Sequence, residues 1–275
     1  MIEKTEALVL RTNPFSKTSR IVTWLSPDFG KVVTVIKGSC RPKSAFLGQY
    51  DLYYTCELVF YTRNRDGIHI AKECFPLEIR PAFRTDWRAA ACASYVSDLL
   101  CLVSLQDHNQ RELYELAISC FDFLCSPDRE KQRLLFWFEI RLAKFLGLSP
   151  QLSNCAACGN PIQPAHPVVF SASLGGVLCP QCPHRSEDRL IPVGRDVLAI
   201  LKQWQGISSA RSARVTHCSE EQRAALKIIL GTFLKYHLDR APESRYRAFQ
   251  IVEFNGYQRG DKNEMDRAAV LSDRV

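Results

Sequence analysis

Four cysteines carry the plainest chemistry in this chain. Cys155 and Cys158 form a C-x2-C pair, twenty residues intervene, and Cys179 and Cys182 repeat the spacing. A pattern of this span falls in the zinc-ribbon range. Two thiolates on a tight knuckle grip one face of a tetrahedral ion, and a second knuckle closes the other face at S–Zn distances of about 2.3 Å. Gly159 follows the first pair, where a knuckle turn calls for positive φ. Pro180 and Pro183 stiffen the second pair. Residues 168–170 (VVF) and 175–178 (GGVL) read as two short strands of a ribbon. The same four residues allow two alternatives, a pair of disulfides or four buried thiols. His166 and His184 are near enough in sequence to replace one ligand. Four sulfurs leave no open coordination position, so a zinc ion here is expected to be structural and not catalytic.

The second chemical signal is charge. The chain carries a net charge of +7, and most of it sits early. Residues 11–43 hold Arg11, Lys17, Arg20, Lys31, Lys37, Arg41 and Lys43 against a single acid, Asp28. Bases and acids balance over residues 44–84. A concentrated positive stretch is what a phosphate-facing surface needs, although a solvated face has the same composition. Aromatic residues are interleaved with the bases: Phe15, Trp24, Phe46, Tyr50, Tyr53 and Tyr54. Stacking on aromatics beside a basic groove holds single strands without sequence readout. Trp24 reads as core, whereas Phe15 and Phe46, on loops, are expected to be exposed.

These residues need positioning elements. Strands are expected over residues 4–12, 19–25, 31–37, 51–62 and 68–75. Asn13-Pro14 breaks the first, and a Pro27-Asp28-Phe29-Gly30 turn makes a hairpin of the second and third. Five short strands at close spacing suggest a small barrel, with the five-stranded OB fold the natural candidate and a common seat for oligonucleotides. From Asp86 the period becomes helical. Helices are expected from there to Val103, over 110–125, and from a start at Ser126-Pro127-Asp128 through Leu146. The last of these is apolar almost all round, which implies the centre of a bundle. Further helices are expected over 195–205 and 219–238, the latter opened by a Ser219/Gln222 capping box. Residues 206–214, with Arg211 and Arg214, read as a small-residue linker. Residues 243–249 read as a basic-aromatic coda.

The expected organisation is α+β and multidomain: a barrel over 1–80, a helical domain over 81–245, and a zinc module over 152–186 inserted in it. The polar stretch 255–275 reads as a disordered tail. Twelve cysteines are too few for a disulfide scaffold in 275 residues, and their scatter suits a reducing cytosol. The N-terminus lacks a secretory pattern, and no window is apolar enough to span a membrane. We therefore expect a cytoplasmic protein. Phosphate loops, zincin and nucleophile-elbow motifs, and deaminase signatures are absent. No nucleophile–base constellation appears, so neither an enzyme nor a small-molecule substrate is expected.

Residues 6–38 (EALVLRTNPFSKTSRIVTWLSPDFGKVVTVIKG) resemble the N-terminal barrel of the bacterial DNA repair protein RecO family. Gly30-Lys31, Lys37-Gly38 and Arg41-Pro42-Lys43-Ser44 follow the family's order. Residues 138–159 (FEIRLAKFLGLSPQLSNCAACG) resemble its central helix running into a zinc module. Gly175-Gly176-Val177-Leu178-Cys179, Tyr236-His237-Leu238 and Ser244-Arg245 also fit. The likeness spans roughly residues 3–249; Cys40 departs from it, standing where the family usually has a small residue. It implies a non-enzymatic recombination mediator, nucleoid-associated, that binds single- and double-stranded DNA and anneals complementary strands. It also implies partners: RecR, in some cases RecF, RecA, and the acidic C-terminal tail of single-stranded DNA-binding protein.

On this reading the DNA-binding residues are Arg11, Phe15, Lys17, Arg20, Lys31, Lys37, Arg41 and Lys43. The tail peptide needs an apolar groove edged by cations, for which Arg129, Lys131, Arg133, Arg141 and Lys144 are the candidates. The rival is a zinc-containing scaffold whose barrel binds peptide and not DNA, since fold does not fix function.

Overall fold

The computed structural model describes residues 1–63, 67–127, 131–163, 166–207, 210, 216–239 and 242–253. Five strands come first: β1 (Ile2–Pro14), β2 (Arg20–Ser26), β3 (Gly30–Ile36), β4 (Thr55–Tyr61) and β5 (His69–Glu78). They close into a barrel in the order β1-β2-β3-β5-β4. All pairings are antiparallel except β3 with β5, which is parallel and covers only Thr34–His69 and Val35–Ile70. Alternation drives the closure. Ala7, Val9, Val22, Trp24, Val32, Leu58 and Phe60 point inward and form one core. Trp24 is fully buried, as expected, and its indole N–H donates to Thr34 Oγ1 at 2.9 Å.

Several boundaries differ from expectation. β1 continues to Pro14, which pairs with Arg20; a proline is tolerated there because it is the last residue of its strand. β4 starts at Thr55, because Tyr53 adopts positive φ (69°) and turns the chain before it. Phe46 is half-buried against the barrel core and not exposed on its loop.

The helical region comprises α1 (Ala82–Thr85), α2 (Trp87–Val103), α3 (Arg111–Leu124), α4 (Lys131–Phe145), α5 (Arg195–Gly206), α6 (Glu220–His237) and α7 (Glu243–Glu253). Asp86 caps α2 by accepting from the N–H groups of Arg88 and Ala89. Ser219 and Gln222 form the expected capping box on α6. α4 is the centre, with Leu135, Phe136, Trp137, Phe138, Ile140 and Leu142 all fully buried. The coda over 243–249 is helix α7, and it belongs to the core: Phe249 is fully buried and stacks on Phe136 at 5.1 Å between ring centroids. The linker residues Arg211 and Arg214, the Asp128 start signal and the tail 255–275 lie outside the described residues.

Barrel and helices keep separate cores that meet at one seam. Leu8, Leu10, Leu25 and Tyr53 leave the barrel to join the helical cluster; fully burying each such side chain stabilises by about 1.5–3 kcal/mol. A bulge in β1 between Val9 and Arg11 turns the Leu10 carbonyl outward, where Ser97 Oγ of α2 donates to it at 2.7 Å. The β2–β3 turn is held as well. Lys31 N–H donates to the Leu105 carbonyl at 2.8 Å, and Gly30 sits at φ 63°. A Cβ on Gly30 would fall on the carbonyl oxygens of Leu105 and His108.

Candidate metal centre and nucleic-acid interface

β6 (Val168–Ser171), β7 (Gly176–Leu178) and β8 (Ile191–Val193) form a small sheet in the order β7-β6-β8. Its first two strands were legible in the sequence and β8 was not. The sheet has two apolar faces. Val168, Phe170 and Val177 join the helical core, and Phe170 meets Phe233 of α6 edge to face at 5.9 Å. Leu178 faces the cysteines and packs with Cys155 and Cys182.

The structure brings Cys155, Cys158, Cys179 and Cys182 together, with all four sulfurs within 4.8 Å of one another. Cys158 Sγ and Cys179 Sγ lie 3.9 Å apart, far beyond a disulfide bond. All four are free thiols. Two thiolates at tetrahedral angles on one zinc ion are separated by about 3.8 Å, given S–Zn bonds of about 2.3 Å. The quartet therefore fits a four-coordinate ion and not the disulfide alternative. Gly159 supplies the positive φ of the first knuckle, at 76°.

The thiols differ in how readily they ionise. Burial pushes the Cys155 thiol up, but the N–H groups of Cys179, Cys158 and Ala157 point at its sulfur and bring it down to about 6. Burial, and then the neighbouring thiols, push Cys182 up to about 12. Crowded sulfurs resist a second negative charge unless a positive ion sits between them. His166 and His184 are not part of the cluster.

Of the expected DNA-contacting residues, six gather at one end of the barrel. The β1–β2 loop carries Phe15 and Lys17, β2 opens with Arg20, and Lys37, Arg41 and Lys43 follow β3. Pro14 pairs with Arg20, and Arg20 with Ile36, so both loops leave the same end. They are tied together: Cys40 N–H donates to the Thr18 carbonyl at 3.0 Å, and Gly38 N–H to Ser19 Oγ at 3.2 Å. Phe15 is 58% exposed, and Lys17, Lys37, Arg41 and Lys43 all face water.

Arg11 and Lys31 lie elsewhere. Arg11 donates to Asp98 of α2 at 2.7 Å, which raises its pKa above the usual guanidinium value. Lys31 Nζ reaches the Cys101 carbonyl at 3.3 Å. Both face the seam between barrel and helices and not the tip.

Two members of the cationic rim expected on α4 are turned inward. Lys131 and Arg133 are buried. Lys131 Nζ donates to the carbonyls of Leu124 and Ser126 at 2.9 and 3.0 Å and meets Asp86 at 3.3 Å. Arg133 donates to the Thr216 carbonyl at 2.9 Å. Their charges satisfy backbone acceptors inside the fold. Arg141 is half-buried, Lys144 is exposed, and Arg129 lies outside the described residues.

Sequence reading missed a buried network centred on Glu139, further along α4 than Lys131 and Arg133. Glu139, fully buried, accepts from Arg245 of α7 at 2.8 and 3.1 Å and from the Tyr95 hydroxyl at 2.6 Å. A glutamate within an apolar helix was the available signal, because such a charge requires a partner.

Comparison with known proteins decides the lineage. A family model described as "Recombination protein O C terminal" matches residues 84–246, and its N-terminal counterpart matches residues 1–80. The chain belongs to the recombination protein O family. The chain is 28% identical to the DNA repair protein RecO of Syntrophus aciditrophicus, with 88% of this chain and 93% of that protein covered. It is 27% identical to the RecO of Prosthecochloris aestuarii, over 90% and 96% of the two chains. With the RecO of Rhodopirellula baltica it shares 30% identity over 72% and 73%. Membership of the RecO family places this chain in DNA repair and recombination, and the barrel, the helical region and the cysteine cluster are its framework. No described helix is long and apolar enough to cross a membrane.

Proposed function

We propose that this protein is a non-enzymatic recombination mediator that binds single- and double-stranded DNA through the tip of its barrel. In this reading it anneals complementary strands and assists RecA onto single strands coated with single-stranded DNA-binding protein, acting with RecR. The domains are a barrel over 1–80 and a helical domain over 81–245 that carries the zinc module of residues 152–186. The observation that supports it best is the gathering of Phe15, Lys17, Arg20, Lys37, Arg41 and Lys43 on two loops hydrogen-bonded to each other. Exposed cations without competing carboxylates meet phosphates at little desolvation cost, and an exposed ring beside them offers a base a stacking face. Zinc, held by Cys155, Cys158, Cys179 and Cys182, would brace the ribbon whose other face lies in the helical core.

Binding of a fluorescent single-stranded oligonucleotide across a salt series tests this reading. Neutralising four or five phosphates gives a slope of log affinity against log salt of roughly −3. The double variant Arg41→Glu, Lys43→Glu should flatten that slope and weaken binding. Unchanged affinity in that variant removes the tip from the interface. Salt-indifferent or absent binding favours a barrel that contacts protein instead.

A further inference from the structure

The outer faces of β1, β4 and β5 differ in character from the tip. In register across them lie Glu6, Glu57 and Phe75. At the end of β5, where the register with β4 shifts, Phe75, Leu77 and Ile79 stand 50%, 55% and 46% exposed. Beside this stripe opens a cavity of about 660 Å³ between the barrel and α3. Its walls are Leu77, Ile79 and Ile118 on the apolar side, and Glu6, Glu78 and Asp122 on the acidic side.

Charge on this face runs against that of the whole chain. The cation in the cavity wall, Arg80, is fully engaged: it donates to Asp122 at 2.6 and 2.9 Å, to the Tyr53 carbonyl at 2.9 Å and to Thr55 Oγ1 at 2.9 Å. Lys4 answers Glu57 at 2.9 Å and Lys72 answers Glu73 at 3.2 Å. Glu6 and Glu78 form no ion pair among the described residues. Two uncompensated carboxylates repel a phosphate backbone, so nucleic acid is not the occupant. They attract a cation, and the apolar lip selects a cation with greasy neighbours.

We propose that this acidic, apolar face docks a partner protein through a segment that carries a lysine or arginine between large apolar residues. The cationic side chain enters between Glu6 and Glu78, and its neighbours cover Phe75, Leu77 and Ile79. Complementary charge sets the register, and the buried apolar contacts hold it. The surface is separate from the barrel tip, so DNA and this partner can be held at once.

The test starts with a random-peptide phage selection on the full, zinc-loaded protein. Synthetic versions of the enriched peptides are then titrated by fluorescence anisotropy against parent, Leu77→Asp with Ile79→Asp, and Glu6→Lys with Glu78→Lys. All four positions are exposed, so the variants should fold, and oligonucleotide binding serves as the control. The expected result is a basic-apolar consensus, about tenfold or greater loss of peptide affinity in both variants, and unchanged single-strand affinity. Failure to enrich such a consensus, or peptides that bind both variants as tightly as the parent, overturns the proposal. Loss of oligonucleotide affinity in the Leu77→Asp, Ile79→Asp variant overturns it too, by assigning the face to nucleic acid.

Discussion

Arg41 and Lys43 stand in water at the barrel tip, in no ion pair among the described residues, while Lys131 and Arg245 lie buried in the helical region with fixed acceptors around them. At the tip, water solvates the charge, and the side chain keeps its freedom until an anion arrives. In the interior, losing water costs several kcal/mol per ion, and only well-placed acceptors offset it. The same residue types thus serve architecture in one region and, in the proposed function, recognition in the other. The difference lies in what surrounds the cation, not in the cation itself.

Four experiments can break or sharpen this contrast. The largest stability effect should come from splitting the Glu139–Arg245 pair: Glu139→Ala or Arg245→Ala leaves an uncompensated buried charge and should cost about 3–5 kcal/mol in denaturant unfolding. An unfolding midpoint unmoved by either would show that water reaches the site. Next, Lys131→Met keeps the stem but strips the carbonyls of Leu124 and Ser126 of their donor, for an expected loss of about 1–3 kcal/mol.

A smaller effect concerns Asp188 in the cysteine module. Burial pushes its carboxyl up, but hydrogen bonds from Ser186, Ser173 and Ser171 outweigh this and hold it below the usual carboxylate range. A folded pKa below the unfolded one contributes stability that is complete above about pH 5 and drains away as pH falls further. Asp188→Asn should therefore be less stable than the parent at neutral pH, and thermal melts should show the gap narrowing toward pH 3. A gap constant with pH would mean that the carboxylate charge is irrelevant there. Smallest for stability is Arg41→Glu with Lys43→Glu, within about 0.5 kcal/mol of the parent because both are exposed. The same variant should lose about tenfold or more in oligonucleotide affinity at low salt. A large loss of stability with intact binding would reverse the contrast.

The two regions were not equally legible. Alternation in β2 and β3, the Gly30 turn and the cysteine spacing are local patterns, and the barrel and the quartet follow from them. The tip residues could be named because exposed loops keep their composition on view. What stayed hidden depends on partners remote in the chain. Arg245 meets Glu139 across 106 residues, and the coda around it looks like surface because two of its early side chains, Arg245 and Arg247, are arginines. Lys131 and Arg133 satisfy backbone carbonyls, acceptors that every residue carries and no sequence displays. Arg11 and Lys31 passed as groove residues because Asp98 and the Cys101 carbonyl lie on a helix whose docking against the barrel is a long-range contact.

The clamp on Gly30 has a mechanical consequence. β2 and β3 run the height of the barrel, with the tip at one end and this glycine, wedged against the Leu105 and His108 carbonyls, at the other. Strands of seven residues span about 23 Å, at about 3.3 Å per residue. The hairpin is thus a stiff lever anchored at its base. A strand of DNA pulling on the tip would load the helical region through that anchor, and any side chain at position 30 would loosen the fulcrum.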